Sequence, residues 1–202
     1  MISILRKKTA THILILALGN PGSEYEGSPH NAGFEVADAI IERAKEEERL
    51  LRRDDRKEYA LAELSTEAGS VCVVKPLLFM NHSGSALKKV LERVDVAHDH
   101  LWVVHDELDL PLGELRISFG SRPAGHNGVS DIIERLGTKD FFRFRIGVRP
   151  PRLREASMKG AASTYLTTPL RGEEGEMLAD AIEDCANLIE QSVRAGTPAV
   201  RH

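Results

Sequence analysis

The chain has 202 residues, 42% hydrophobic and 29% charged, with 27 lysines and arginines against 31 acids for a formal net charge of −4. That balance fits one soluble domain and excludes a disordered polymer, a collagen-like repeat and a small disulfide scaffold. It also excludes a wholesale polyanion binder, so any nucleic-acid contact must come from a local basic patch.

In chain order, Met1–Thr11 carries Arg6, Lys7 and Lys8 without an acid and reads as a flexible basic arm, with an organelle-targeting remnant as the alternative. Ile13–Leu18 is nearly all apolar, the pattern of a strand buried on both faces, and Gly19-Asn20-Pro21-Gly22 breaks it. Ser28-Pro29 reads as a helix start, and Phe34, Val36, Ala37, Ile40, Ile41 and Ala44 continue with helical spacing. The charged run Lys45–Glu58 reads as a solvated face or loop. Tyr59–Leu64 and Val71–Lys75 form an expected hairpin, and a helix is predicted from Asn81 or Ser83 to Val94.

Strands are predicted at Leu101–His105, Glu114–Phe119 and Phe142–Val148, with a short helix Gly128–Leu136 ended by Gly137. The segment from Val148 to Ser163 reads as a loop, and Glu173–Arg194 as a long amphipathic helix. The alternation predicts a single three-layer α/β/α domain over residues 13–195 with a mixed, largely parallel central sheet, followed by a 196–202 tail. No run is long enough to cross a bilayer, and Cys72 and Cys185, each among apolar residues, fit a reducing compartment such as the cytoplasm.

Ligands of open α/β sheets bind beyond the carboxyl ends of the strands. Here those ends lead to Asn20, His30 and Asn31; to Phe79-Met80-Asn81; to Asp106; and to Gly125-His126-Asn127. Taken singly, each of these residues fits a cap or a turn; their clustering is what points to a site. A neutral imidazole can take a proton from water, a carboxylate can orient it, and amide N–H groups can donate to an oxyanion. No Gly-x-Ser-x-Gly segment is present, so water is the expected attacker. A metal site built from His30, His105, His126 and Asp106 is the minor alternative, because the ligand spacings of zinc motifs are absent. Arg143, Arg145 and Arg149 alternate along and past one strand, so they are expected on one side as a basic patch, with Arg116 nearby.

These residues occur in one order with Gly19-Asn20-Pro21-Gly22, Glu24-Tyr25, His30-Asn31-Ala32-Gly33, Lys75-Pro76, Phe79-Met80-Asn81, His105–Pro111, Gly125-His126-Asn127-Gly128 and Arg145-Ile146-Gly147. From Leu14 to Val148 the chain resembles bacterial-type peptidyl-tRNA hydrolases. The resemblance implies a monomeric α/β enzyme without metal or cofactor, cleaving the ester between a peptide and the terminal ribose of tRNA. It makes His30 the general base, Asp106 the acid that keeps it basic, and Asn20 the residue that distinguishes N-blocked from free aminoacyl groups. Asn81 and Asn127 would bind peptide and terminal nucleotide and position water or oxyanion. Tyr25, Phe79, Met80 and His126 would contact the substrate. Arg145, with Arg116 as neighbour, would hold the terminal phosphate, making binding fall as salt rises. Pro29, Ser118 and Ser121-Arg122-Pro123-Ala124 depart from the family pattern and bear on RNA grip and loop motion. A non-catalytic RNA-binding relative, of the kind that assists splicing, is the rival reading.

Overall fold

β2 (Ile13–Ala17) is buried along its whole length and sits at the centre of a seven-stranded sheet. In the computed structural model, which describes residues 9–10, 13–67, 69–150 and 161–200, the order is β3-β4-β5-β2-β7-β9-β8. β2 pairs in parallel with β5 (Gly69–Pro76) on one side and β7 (Leu101–Pro111) on the other. β9 (Phe142–Arg149) continues in parallel, whereas β8 (Leu115–Phe119), β4 (Tyr59–Thr66) and β3 (Leu50–Asp55) make antiparallel pairs. A separate short parallel pair joins β1 (Thr9–Ala10) to β6 (Val94–Asp95). The remainder of the basic arm, residues 1–8 and 11–12, lies outside the described residues.

Period-two alternation divides the apolar residues between two cores. Ile13, Ile15 and Ala17 join Trp102, Val104, Phe144 and Ile146 beneath α1 (Ala32–Glu46) and the terminal helix α5 (Gly172–Ala195). Leu14, Leu16 and Leu18 join Val74, Leu101 and Val103 beneath α2 (Ser83–Leu91) and α3 (Asn127–Leu136). The sheet with helices on both faces is the expected three-layer α/β/α arrangement, and the hairpin, α1, α3 with its left-handed Gly137 cap, and α5 occur where the sequence places them. Among the described residues, no helix is long and apolar enough to cross a membrane.

Four expectations need correction. The charged run contains the edge strand β3, whose ion pairs such as Arg52–Glu63 suit an edge open to water. β7 does not stop at His105 but continues to Pro111, held by β9. β8 runs antiparallel to β9, so its carboxyl end lies at the opposite edge from those of β2, β5 and β7. Within the expected loop after β9, residues 151–160 lie outside the described residues, and Ala162–Thr167 forms a short helix, α4, whose Tyr165 Oη donates to Val148 O at 2.8 Å.

α1 starts against bare backbone. A Cβ on Gly33 would come within 2.5 Å of Leu18 O and 2.6 Å of Val104 O. Only a glycine lets the helix start rest on the exit of β2 and on β7 where β2 leaves it. Gly33→Ala should therefore cost about 2–3 kcal/mol, measured as a lower urea midpoint with an unchanged slope.

Candidate active site

The pairing of β7 explains where the site opens. β2 accompanies β7 only from Leu101 to Val104, and Leu18 N–H donates to Val104 O as the strands part. Beyond that point β7 keeps β9 on one side and offers the other to the start of α1. Asp106 stands two residues past Val104, and the single 3-10 turn Pro29–Asn31 brings His30 to it. That turn is tied down on both flanks. Ser28 Oγ donates to Tyr25 O, while the Asn31 side chain accepts from Asn20 N at 2.8 Å and donates to Asn20 O at 3.0 Å.

His30 Nδ1 lies 2.8 Å from Asp106 Oδ1, and His126 Nε2 lies 3.0 Å from the same oxygen. His126 also caps α3, its Nδ1 accepting from Val129 N, so Nε2 carries the proton that goes to Asp106. A third imidazole supports the pair from below: His105 Nδ1 donates to Asp106 O at 2.6 Å, and its ring stands edge-on to His126 with centroids 4.7 Å apart. Asp106 is 2% exposed, and its Oδ2 has no partner among the described residues. His30 Nδ1 is taken by the carboxylate, which leaves Nε2 as its proton acceptor.

Burial opposes charge on His30, but the adjacent Asp106 carboxylate outweighs it and raises the imidazole above its ordinary 6.5. Burial likewise opposes ionised Asp106, yet His30 and then His126 hold it well below the usual carboxylate range. His105 is fully enclosed, and burial, with His126 and Arg143 adding to it, keeps it neutral.

A cavity of about 810 Å³ opens over this group, lined by His30, Asp106, His126 and Asn127 with Arg149 and the α4 hydroxyls Ser163 and Thr167. Of the expected site residues, the structure brings His30, Asp106, His126 and Asn127 together on it. Asn20 is 7% exposed; its Oδ1 accepts from Met80 N at 2.9 Å and so ties the exit of β2 to the turn before α2. Met80, expected to line the cleft, is instead buried under α3, where a Cβ on Gly128 would meet its Sδ at 2.6 Å. Phe79 (57% exposed), Asn81 and the half-buried Tyr25 stand outside the cavity lining.

The basic patch divides three ways. Arg145 and Arg116 are direct cross-strand neighbours, paired with Glu107 and Glu114 respectively. Arg143 shares their face but is buried beneath the loop Gly120–Gly125, and Arg149 lines the cavity. Sequence reasoning had no role for Ser163 or Thr167, and it placed Arg149 in the basic patch rather than on the cavity wall. The one available signal was His105-Asp106-Glu107, three successive polar residues in what pairing shows to be a buried strand.

His30, Asp106 and His126 also have the spacing of a metal site, with ligand atoms within 4.8 Å of one another. The protonation pattern does not fit one. His126 Nδ1 already accepts from Val129 N, so a metal on Nε2 would require that ring to lose its only N–H.

Comparisons with known proteins point to one family. The chain matches the sequence family described as peptidyl-tRNA hydrolase over residues 14–201. It is 34% identical over 183 residues to the peptidyl-tRNA hydrolase of Aquifex aeolicus, covering 89% of each chain. It is 38% identical over 173 residues to that of Solidesulfovibrio magneticus, covering 82% of this chain and 79% of the relative. The crystal structure of peptidyl-tRNA hydrolase from Acinetobacter baumannii superposes with a TM-score of 0.72 at 27% identity, over 95% of both chains.

Proposed function

The chain belongs to the peptidyl-tRNA hydrolase family, and from that premise we propose that His30, aimed by Asp106, activates the water that cleaves peptidyl-tRNA. His30 Nε2 takes a proton from water as the oxygen attacks the ester carbonyl carbon. Asp106 stabilises the imidazolium that forms, and N–H donors receive the negative charge on the carbonyl oxygen. When the tetrahedral intermediate collapses, the bond from carbon to ribose oxygen breaks and the proton passes from His30 to that oxygen. The products are free tRNA and a peptide acid. The observation that carries this reading is the 2.8 Å contact between His30 Nδ1 and Asp106 Oδ1 in a residue pair that lines the cavity.

Asn127 stands at the start of α3 on the cavity wall, and its amide would donate to substrate. Asn20 has its Oδ1 fixed by Met80 N, which leaves its Nδ2 hydrogens to read the blocked amine of the peptide. Phe79, Tyr25 and Asn81 would contact peptide and terminal nucleotide around the rim. Arg145 and Arg116 would hold the terminal phosphate by drawing it in competition with Glu107 and Glu114. The protein would act as a monomer in the cytoplasm, without a metal and away from membranes.

A paired assay of N-acetylated and free aminoacyl-tRNA tests the substrate reading. The wild-type protein should release tRNA from the acetylated substrate far faster, and Asn20→Asp should narrow the ratio between the two. Equal cleavage of both substrates by the wild type would remove Asn20 from this role.

A further inference from the structure

Beneath the loop that carries His126 lies a guanidinium with no part in the chemistry above. Arg143 is 1% exposed, and burial, followed by the charge of Arg145 beside it, pushes its pKa down to about 10. A buried cation is costly, and apolar replacements of similar volume are often no less stable. Nor is its charge taken up by a hydrogen-bonded carboxylate: Glu107, which faces it from β7, gives Oε2 to both Nε and Nη2 of Arg145. Arg143 acts on the loop instead. Its Nη2 donates to Ser121 Oγ and, at 2.8 Å, to Arg122 O. Ser121 Oγ donates in turn to Ser118 Oγ on β8 at 2.9 Å.

The path of the loop explains the need for a tether. Phe119 at the end of β8 is level with Phe142, whereas Asp106 is level with Ile146. The chain must therefore climb four residues of sheet, about 13 Å, before His126 can reach the carboxylate. It does so through Gly120, Ala124 and Gly125 at φ +63°, +50° and +82°, a conformation disfavoured for Ala124. Its backbone contact with the residue before β9, Gly120 N to Phe141 O, is long at 3.4 Å.

We propose that Arg143 is a positioning residue for the hydrolysis: through Ser121 and Arg122 it holds the Gly120–Gly125 loop down, so that His126 reaches Asp106 and Asn127 reaches the cavity. The inference rests on the His30–Asp106 reading. It also fixes the direction of a pH effect. With the tether cut, Asp106 Oδ1 loses the His126 donor and serves His30 alone, while His30 becomes less enclosed. Both changes favour the imidazolium. The charged or titratable groups facing His30 are Asp106, Glu107 and Asp109 from β7, His126 from the loop and Arg149 from β9. Those facing Arg143 are Arg145, Glu107, His105 and Arg122. Ser121→Ala alters none of them.

The test compares wild type, Arg143→Lys, Ser121→Ala and His30→Ala, all as the full chain. Imidazole ¹H–¹⁵N correlation spectra should show His126 protonated at Nε2 in wild type and moved toward a mixture of tautomers in both loop variants. Turnover should fall about tenfold or more, with a smaller rise in the Michaelis constant from the displaced Asn127. The acid limb of kcat/KM should move to higher pH. A variant that is merely less stable would leave that limb in place. His126 signals unmoved in Ser121→Ala would overturn the proposal whether or not Arg143→Lys folds. Signals that move while turnover and limb stay put would also overturn it, leaving Arg143 an anchor with no part in the reaction. Failure of the underlying reading is separate and would appear as near-normal turnover by His30→Ala.

Discussion

Alanine in place of His30 should slow cleavage of peptidyl-tRNA by about 10²–10⁴-fold, the usual contribution of a positioned general base. The loss should fall on kcat, because the rest of the cavity wall and the arginines proposed to hold the terminal phosphate are untouched. The pH dependence gives a second readout. The reactive form is the neutral imidazole, and Asp106 raises its pKa above 6.5 despite burial. Wild-type kcat/KM should therefore fall as the pH drops through a value above 6.5, and the residual activity of the variant should lack that limb. Stability runs the other way. A pKa raised by folding contributes stability that is complete below the unfolded value of 6.5 and lost as the pH rises through the folded value. His30→Ala should remove that contribution, so its stability relative to wild type improves as the pH rises. Single-turnover cleavage of a purified substrate decides the matter: a rate near that of wild type would mean another group activates water.

Much of this site was legible before any coordinates, and the reasons are local. Pro29 before His30, the apolar run of β2 and the Gly128–Leu136 helix are each written in a few adjacent residues. The extent of β7 was not, because Asp106, Glu107 and Asp109 are poor strand formers; parallel pairing with β9 imposes the strand. The direction of β8 was also hidden, since alternation reports a strand and not its neighbour. That error concealed the return loop and, beneath it, the burial of Arg143. Period two correctly set Arg143 on the face of Arg145, but no spacing rule could show six loop residues covering one arginine and sparing the other. Met80 misled for a similar reason: its buried position depends on the close approach of Gly128 from a helix far along the chain.

The second large effect is expected at Asp106, and its direction separates the carboxylate from the rest of the pocket. Asp106→Asn keeps the shape but offers two imidazole donors a neutral amide oxygen in place of a charged one. Its new N–H₂ would occupy the place of Oδ2, which has no partner among the described residues, so a buried donor is left unsatisfied. Loss of the charge that steadies the imidazolium should cost on the order of 10³–10⁴ in kcat. With the carboxylate gone, burial alone acts on His30 and lowers its pKa, so the acid limb should move below 6.5, opposite to the shift expected when the loop is released. The acid stability profile should change as well. A carboxyl held below its unfolded value of about 3.9 contributes stability that is present above that pH and lost beneath it. The variant should therefore start less stable at neutral pH and lose less on acidification. An acid limb that stays at the wild-type position in Asp106→Asn would mean that this carboxylate does not set the basicity of His30, whatever the distance between them.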